Sequence, residues 1–520
     1  MKRRDFIKNG SGIAGVSLLA GRSIAVERES RPNIVFIMCD QWRKHSLGFM
    51  NQDHVLTPNL DRMAEESAVF TNAISTVPVC GPNRACLFSG KYSMNTDVLS
   101  NECRLLPEHQ TIGEISKSAG YQTAYIGKWH LGCNQKKSSD ADAGYVAPEY
   151  RHGFDFWYKS SHHQPFRQPW FVGDDKEPSF PGGAWAPDHL EEVASAFVKS
   201  RDKGRPFAMV MSFAPPHTGG GVGFEDRFNP GKLSPKKTAQ DLLGYGYAAP
   251  KADEAPYIPG GSQYHRPVRA NVADDMNGYE ESKCVQGYFG AITSIDDAIG
   301  RFFQTLETEG QMDNTIIVFT ADHGEMMGSH GRMTKGVWFQ ESAGIPMIIR
   351  YPKAVKPAQH SRVFNSIDIL PTLLGLSNLR NPGNLDGTDF SPMLRGEPQA
   401  LPEIAFGGYY RGGAPGFQTD KGWRHFRTAY TERYTYLLAH GGYADQAGAN
   451  EQLYDRQSDP YEQKPIRRGE GQDELLDRFK GALTRHLEEI GDPFLKDVWS
   501  TPFAKTDWSF YRQKIAKTYF

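Results

Sequence analysis

Cys80 opens the pentapeptide Cys80-Gly81-Pro82-Asn83-Arg84, with Cys86 close behind. The distance from Cys80 to Arg84 is too short for the phosphate-binding loop of a cysteine phosphatase. The other cysteines, Cys39, Cys86, Cys103, Cys133 and Cys284, supply no close pair of the C-x-x-C type that a zinc site would use. A disulfide or a buried thiol is the ordinary reading of such a residue in an exported chain. Elsewhere the sequence offers Asp40-Gln41 and Asp322-His323, each directly after an apolar run. An oxygen-rich set with one imidazole suits a hard divalent cation, Ca²⁺ first, with Mg²⁺ or Mn²⁺ as alternatives. For either pair alone, a helix cap after a strand is the competing reading. Lys128 and His130 follow a third run, His217 ends a fourth, and Lys335 comes twelve residues after His323. Together these are the cations and bases that cleavage of an anionic ester would need.

The elements that must position these residues are strands. Asn33-Ile34-Val35-Phe36-Ile37-Met38-Cys39 and Thr315-Ile316-Ile317-Val318-Phe319-Thr320 are continuous apolar segments, the pattern of parallel strands buried on both faces. Phe207 to Phe213 reads the same way, and Tyr121 to Tyr125 reads as a strand entering a glycine-bounded turn. Open α/β sheets place their sites at the C-terminal ends of strands, where all these polar residues fall. The expected fold class is α/β: a large domain with a central, mostly parallel sheet sandwiched by helices, and a smaller C-terminal domain with a short antiparallel sheet and a terminal helix. Aromatic and polar residues alternate around Tyr409, Trp423 and Tyr436, and a charged helix is expected from about Asp473 to Ile490. The expected divisions are 1–25, 26–400 and 401–520.

Taken together, these segments resemble the formylglycine sulfatases of the alkaline phosphatase superfamily over nearly the whole mature chain. Ser366 to Leu374 resembles that family's late helix, and Arg427 to Tyr436, Gln452 to Asp455 and Asp459 to Glu462 resemble its C-terminal hairpin signature. The resemblance implies that Cys80 is converted to formylglycine by a formylglycine-generating enzyme that recognises Pro82 and Arg84. Gly81 stands where Ser or Ala is frequent. The resemblance places Asp40, Gln41, Asp322, His323 and the modified Cys80 around the metal, with Gln41 where many relatives carry a second Asp. It implies a covalent sulfo-enzyme, Arg84 helping to hold the modified side chain and the metal, Lys128 and Lys335 clamping sulfate, His130 as base, and His217 with Lys335 as acid to the leaving alkoxide. A phosphonate or phosphate-ester hydrolase of the same superfamily is the nearer rival, and an inactive glycan-binding homologue the more distant.

With 59 basic and 61 acidic residues among 520, the formal charge is -2, which gives no basic field for nucleic acid. Lys2 to Lys8 resembles a twin-arginine export motif, and Ser23-Ile24-Ala25 is a small-x-small cleavage site. The intervening apolar stretch is short for a membrane anchor. Cleavage near Ala25, use of the twin-arginine machinery, and a periplasmic or secreted product are therefore expected. His162, His163, Arg167 and Trp170 lie in an irregular insertion and are the candidate contacts to a sulfated sugar.

Overall fold

The computed structural model describes residues 31–53, 55–132, 145–160, 171–173, 178–179, 186–217, 281–327, 329–331, 334–410, 425–440, 449–498 and 508–518. The export segment and the insertion carrying His162, His163, Arg167 and Trp170 lie outside the described residues.

Ten strands form the large sheet: β1 Asn33–Cys39, β2 Ala68–Ile74, β3 Gln122–Lys128, β4 Phe156–Ser160, β5 Phe171–Val172, β6 Pro178–Ser179, β7 Phe207–Phe213, β8 Thr315–Ala321, β9 Met347–Arg350 and β10 Ala358–Asn365. Their order is β10-β2-β9-β8-β1-β7-β3-β4-β5-β6. The centre is parallel, with β1 flanked by β8 and β7; β9 runs antiparallel to both neighbours, and β5 and β6 close one edge antiparallel. Every residue of β1, β7 and β8 is buried, as apolar runs covered on both faces require. The helices Ala186–Ser200 and Glu281–Thr308 pack on each other, and Ala186–Ser200 also packs on β3 and β7; it is not among the elements read from the sequence.

Register brings the polar residues level. Cys39 pairs with Phe213 on one side and Ala321 on the other. The ladder continues one step further through Asp40 N to Phe213 O at 2.9 Å and Asp322 N to Cys39 O at 3.3 Å. β3 runs on to Lys128 rather than turning at Tyr125. Glycine makes that extension feasible: Gly127 has φ 110°, and a Cβ there would sit 2.0 Å from the Ser212 carbonyl oxygen.

The C-terminal sheet holds β11 Ala405–Tyr410, β12 His425–Tyr430, β13 Tyr434–His440 and β14 Ala449–Asp455, all antiparallel. Helix Asp473–Glu489 lays Leu476, Phe479, Leu483, His486 and Leu487 against it, a stripe at three- and four-residue spacing. Two further short helices, Phe494–Val498 and Ser509–Thr518, follow. No helix among the described residues is long and apolar enough to cross a membrane.

Candidate active site

Cys80 is the first residue of helix Cys80–Ser89, whose side chains are all buried. Cys80 therefore sits at the positive dipole end of a helix, where negative charge is favoured. Cys80 Sγ lies 3.1 Å from His323 Nε2 and 3.4 Å from Asp40 Oδ1. Asp40, Cys80, Asp322 and His323 are all buried, with one potential ligand atom from each within 4.8 Å of the others. Two carboxylates, an imidazole and position 80 thus converge on a volume the size of a cation. That donor set fits a divalent metal, and its oxygen content favours a hard one.

Cations surround the carboxylates. Arg84 donates from Nε to Asp322 Oδ2 at 2.9 Å, from Nη2 to Asp40 Oδ2 at 3.1 Å, and from Nη1 to Lys128 O and Ser212 Oγ at 2.7 and 3.0 Å. Lys128 Nζ lies 2.5 Å from Asp40 Oδ2. Burial alone would raise the Asp40 carboxyl, but Lys128, His217, Arg84 and His323 hold it well below the usual carboxylate range. Burial likewise pushes the His323 imidazole down; Asp322 and Cys80 outweigh it, and the net shift is upward. The backbone of Asp322 is fixed by Ser75 Oγ and Asn83 Nδ2, both donating to its carbonyl at 2.7 and 2.5 Å. Gly324 must be glycine, because a Cβ there would lie 2.0 Å from the Glu341 carbonyl oxygen.

Gln41 is buried with left-handed backbone at φ 66°, which turns its N–H onto Asp322 Oδ1 at 3.0 Å and its carbonyl towards the Tyr288 hydroxyl at 2.7 Å. Its side-chain oxygen accepts from Lys335 Nζ, and its Nε2 donates to Glu325 Oε2. Lys335 Nζ also donates to His217 Nε2 at 2.7 Å. Burial first, and then Lys335, push the His217 imidazole well below its ordinary value, so its Nε2 lone pair faces the ammonium. His130 is buried two residues past Lys128, also with left-handed backbone. The residues read from the sequence as Asp40, Gln41, Cys80, Arg84, Lys128, His217, Asp322, His323 and Lys335 therefore form one connected constellation. Glu325, Ser212 and Tyr288 belong to it as well, and the sequence reading does not reach them. Of the three only Glu325 carries a visible signal, as a carboxylate one glycine beyond the Asp-His pair.

A family model described as Sulfatase matches residues 32–379. The chain belongs to the sulfatase family. A second model, described as N-sulphoglucosamine sulphohydrolase, C-terminal, matches residues 328–489 of this sulfatase. An ulvan-active sulfatase from Formosa agariphila is 31% identical over 477 residues, covering 90% of this chain and 83% of that protein. An endo-4-O-sulfatase from Bacteroides thetaiotaomicron is 28% identical, covering 93% and 98%. A solved Bacteroides thetaiotaomicron structure from a locus for metabolism of multiple glycosaminoglycans shares the fold, with TM-score 0.73 and 24% identity over 94% of this chain and 99% of that one. The sulfatase is a sulfuric ester hydrolase, with its buried donor cluster at the strand edge where the fold places a site. Among the described residues Cys39, Cys80, Cys86 and Cys103 are free thiols.

Proposed function

We propose that this sulfatase removes sulfate from a sulfated glycan using formylglycine made from Cys80 and a divalent cation, Ca²⁺ before Mg²⁺ or Mn²⁺. The observation that carries the reading is the position of Cys80 Sγ, at a helix N-terminus and within 3.4 Å of both Asp40 and His323. A cation held by Asp40, Asp322, His323 and position 80, with Gln41 as a further oxygen donor, supplies positive charge for an ionised nucleophile and for sulfate oxygens. Formylglycine, when hydrated, supplies two hydroxyls on one carbon, one to attack and one to expel sulfate.

The chain's own residues do the rest. Lys128, at the end of β3, and Lys335 bind sulfate oxygens, while Arg84 keeps the two carboxylates apart and charged. His130 accepts the proton released when sulfate is expelled. His217 is held neutral by burial and by Lys335, so it carries no proton of its own to give; Lys335 donates directly to its Nε2, and the pair delivers the Lys335 proton to the leaving alkoxide oxygen. The names of the curated relatives support a glycan as substrate, and His162, His163, Arg167 and Trp170 are the proposed sugar contacts. The leader at Lys2 to Lys8 supports export through the twin-arginine machinery to the periplasm or medium, after modification of Cys80 by the formylglycine-generating enzyme.

The test is the mass of the Cys80 peptide from a host with the modifying enzyme, together with sulfate release from a panel of sulfated glycans. A peptide about 18 Da lighter than the cysteine form, with sulfate release, is the expected result. Faster turnover of phenyl phosphonate than of aryl sulfate would favour the phosphonate hydrolase instead. Glycan binding by protein with unmodified Cys80 and no turnover would favour a binding protein.

A further inference from the structure

Glu325 is fully buried and meets N–H donors on both of its carboxylate oxygens. Oε2 accepts from Gln41 Nε2, while Oε1 accepts from Met327 N at 3.0 Å and Thr334 N at 2.5 Å. On its far side the Gln41 amide presents its oxygen to Lys335 Nζ. A carboxylate, an amide and an ammonium therefore stand in line, with the amide dipole aligned to both charges. Inverting the amide would turn N–H against N–H at Lys335 and oxygen against oxygen at Glu325, so the two end groups fix one orientation. Glu325 also clasps both ends of the excursion from Met327 to Thr334 that delivers Lys335, and Met326 N to Thr334 O at 2.7 Å closes the same loop.

We propose that Glu325 is a positioning residue: it orients the Gln41 amide so that the oxygen holds Lys335 against His217, and thereby sets the strength of leaving-group protonation. The inference rests on the proposed role of Lys335 and His217 as the acid. Glu325 is not among the residues proposed to hold the cation; it acts through the Gln41 amide and the loop.

Substitution logic makes the assignment testable. In Glu325→Gln, a new amide whose oxygen turns towards Gln41 leaves its NH₂ facing the Met327 and Thr334 amides. Turned the other way, its NH₂ forces the Gln41 amide to invert and push Lys335 away. Gln41→Glu sets two buried carboxylates side by side. The exchange Q41E/E325Q satisfies these four bonds again: the amide oxygen at position 325 takes the two loop N–H groups, its NH₂ donates to the carboxylate at position 41, and that carboxylate accepts from Lys335. Turnover is measured on aryl sulfates of graded leaving-group acidity from 4-nitrophenyl to phenyl sulfate, alongside the melting temperature of each variant. E325Q is expected to lose about 10-fold more kcat on phenyl than on 4-nitrophenyl sulfate, the scale of an outer-shell contact. The exchange is expected to recover both the melting temperature and the shallow leaving-group dependence. An equal loss on all esters, or an exchange no better than the worse single variant, overturns the assignment. A wild type without turnover on any sulfate would refute the proposed chemistry alone, and recovery of the melting temperature in the exchange would still decide the pairing.

Discussion

Arg84 ties the two buried carboxylates of the site together. Its guanidinium is fully buried and spans Asp40 and Asp322 with separate nitrogens, while Lys128 O and Ser212 Oγ take a third. A lysine could reach one carboxylate but could not reproduce the fork. Truncation leaves two buried carboxylates short of a cation, so Arg84→Ala is expected to cost about 3–5 kcal/mol in urea unfolding of the metal-free protein. Added CaCl₂ should recover part of that loss, because the same carboxylates then gain another positive partner; an unfolding curve indistinguishable from wild type would show that Arg84 is not what balances them. At this scale much is legible in the sequence. Asp40, Asp322, His217 and Lys128 are visible because each ends or follows a run of apolar residues, and a buried strand has only its ends at which to place a charge. Ser212 and Tyr288 are hidden because their meaning lies in partners far away in the chain, Arg84 and Gln41; Glu325 shows as a carboxylate beside the Asp-His pair, but its partner Gln41 is equally distant.

Among the elements, helix Asp473–Glu489 is legible from its charge and its period, and its bounds agree within a residue of the expectation. Helix Ala186–Ser200 escapes such a reading because it sits among Gly- and Pro-rich chain, although its spacing of Leu190, Ala194 and Val198 carries a helical stripe. One residue in the C-terminal helix breaks the apolar pattern. His486 lies on the buried face, stacked on Phe406 at 4.1 Å and edge-on to Tyr92 at 4.6 Å. Burial lowers its pKa from 6.5 to about 4, against a lesser opposing pull from Asp492. The unfolded chain thus takes up a proton near pH 6.5 that the folded chain refuses until about pH 4. The stability due to neutral His486 is complete above the unfolded value and declines as pH falls between the two, by about 2–3 kcal/mol at pH 4.5. His486→Leu removes that decline. Urea midpoints of the two proteins at pH 7 and pH 4.5 check it: the variant should gain on wild type at the lower pH, and a constant difference would mean that the imidazole is not held neutral by the fold.

Across the whole molecule, the C-terminal sheet is joined to the catalytic sheet through backbone and buried side chains. Gly408 N donates to Thr76 O at 3.0 Å, Asn365 Nδ2 to Phe406 O at 2.8 Å and the Tyr430 hydroxyl to Trp338 O at 2.8 Å. Tyr409, Phe426, Leu437, Trp508 and Tyr511 share one apolar core with β1 and β8. The keystone is Arg427 in β12, almost wholly buried, with Nε on Asp492 Oδ2 at 2.6 Å and Nη1 on Tyr409 O and Phe426 O. Nη2 donates to the Tyr511 hydroxyl at 3.2 Å, which donates in turn to Asp492 Oδ1 at 2.6 Å, and the guanidinium lies against the rings of Tyr410 and Phe494. Tyr511 belongs to the last helix, whose Thr518 carbonyl accepts from Arg104 N at 2.9 Å and whose Lys514 holds Asp97. That segment presents Asn101 Oδ1 to Gly81 N at 2.9 Å, beside Cys80 itself. Helix Ser509–Thr518 thus braces the helix that carries Cys80. Arg427→Ala strands Asp492 in the interior and is expected to cost about 3–5 kcal/mol, while an Arg427→Met/Asp492→Leu pair, which leaves no charge behind, should cost markedly less. Because the two sheets share a core, loss of sulfate release and loss of near-UV dichroism should coincide in urea for all three proteins. Turnover that survives unfolding of the C-terminal sheet would show that the brace does not reach Cys80.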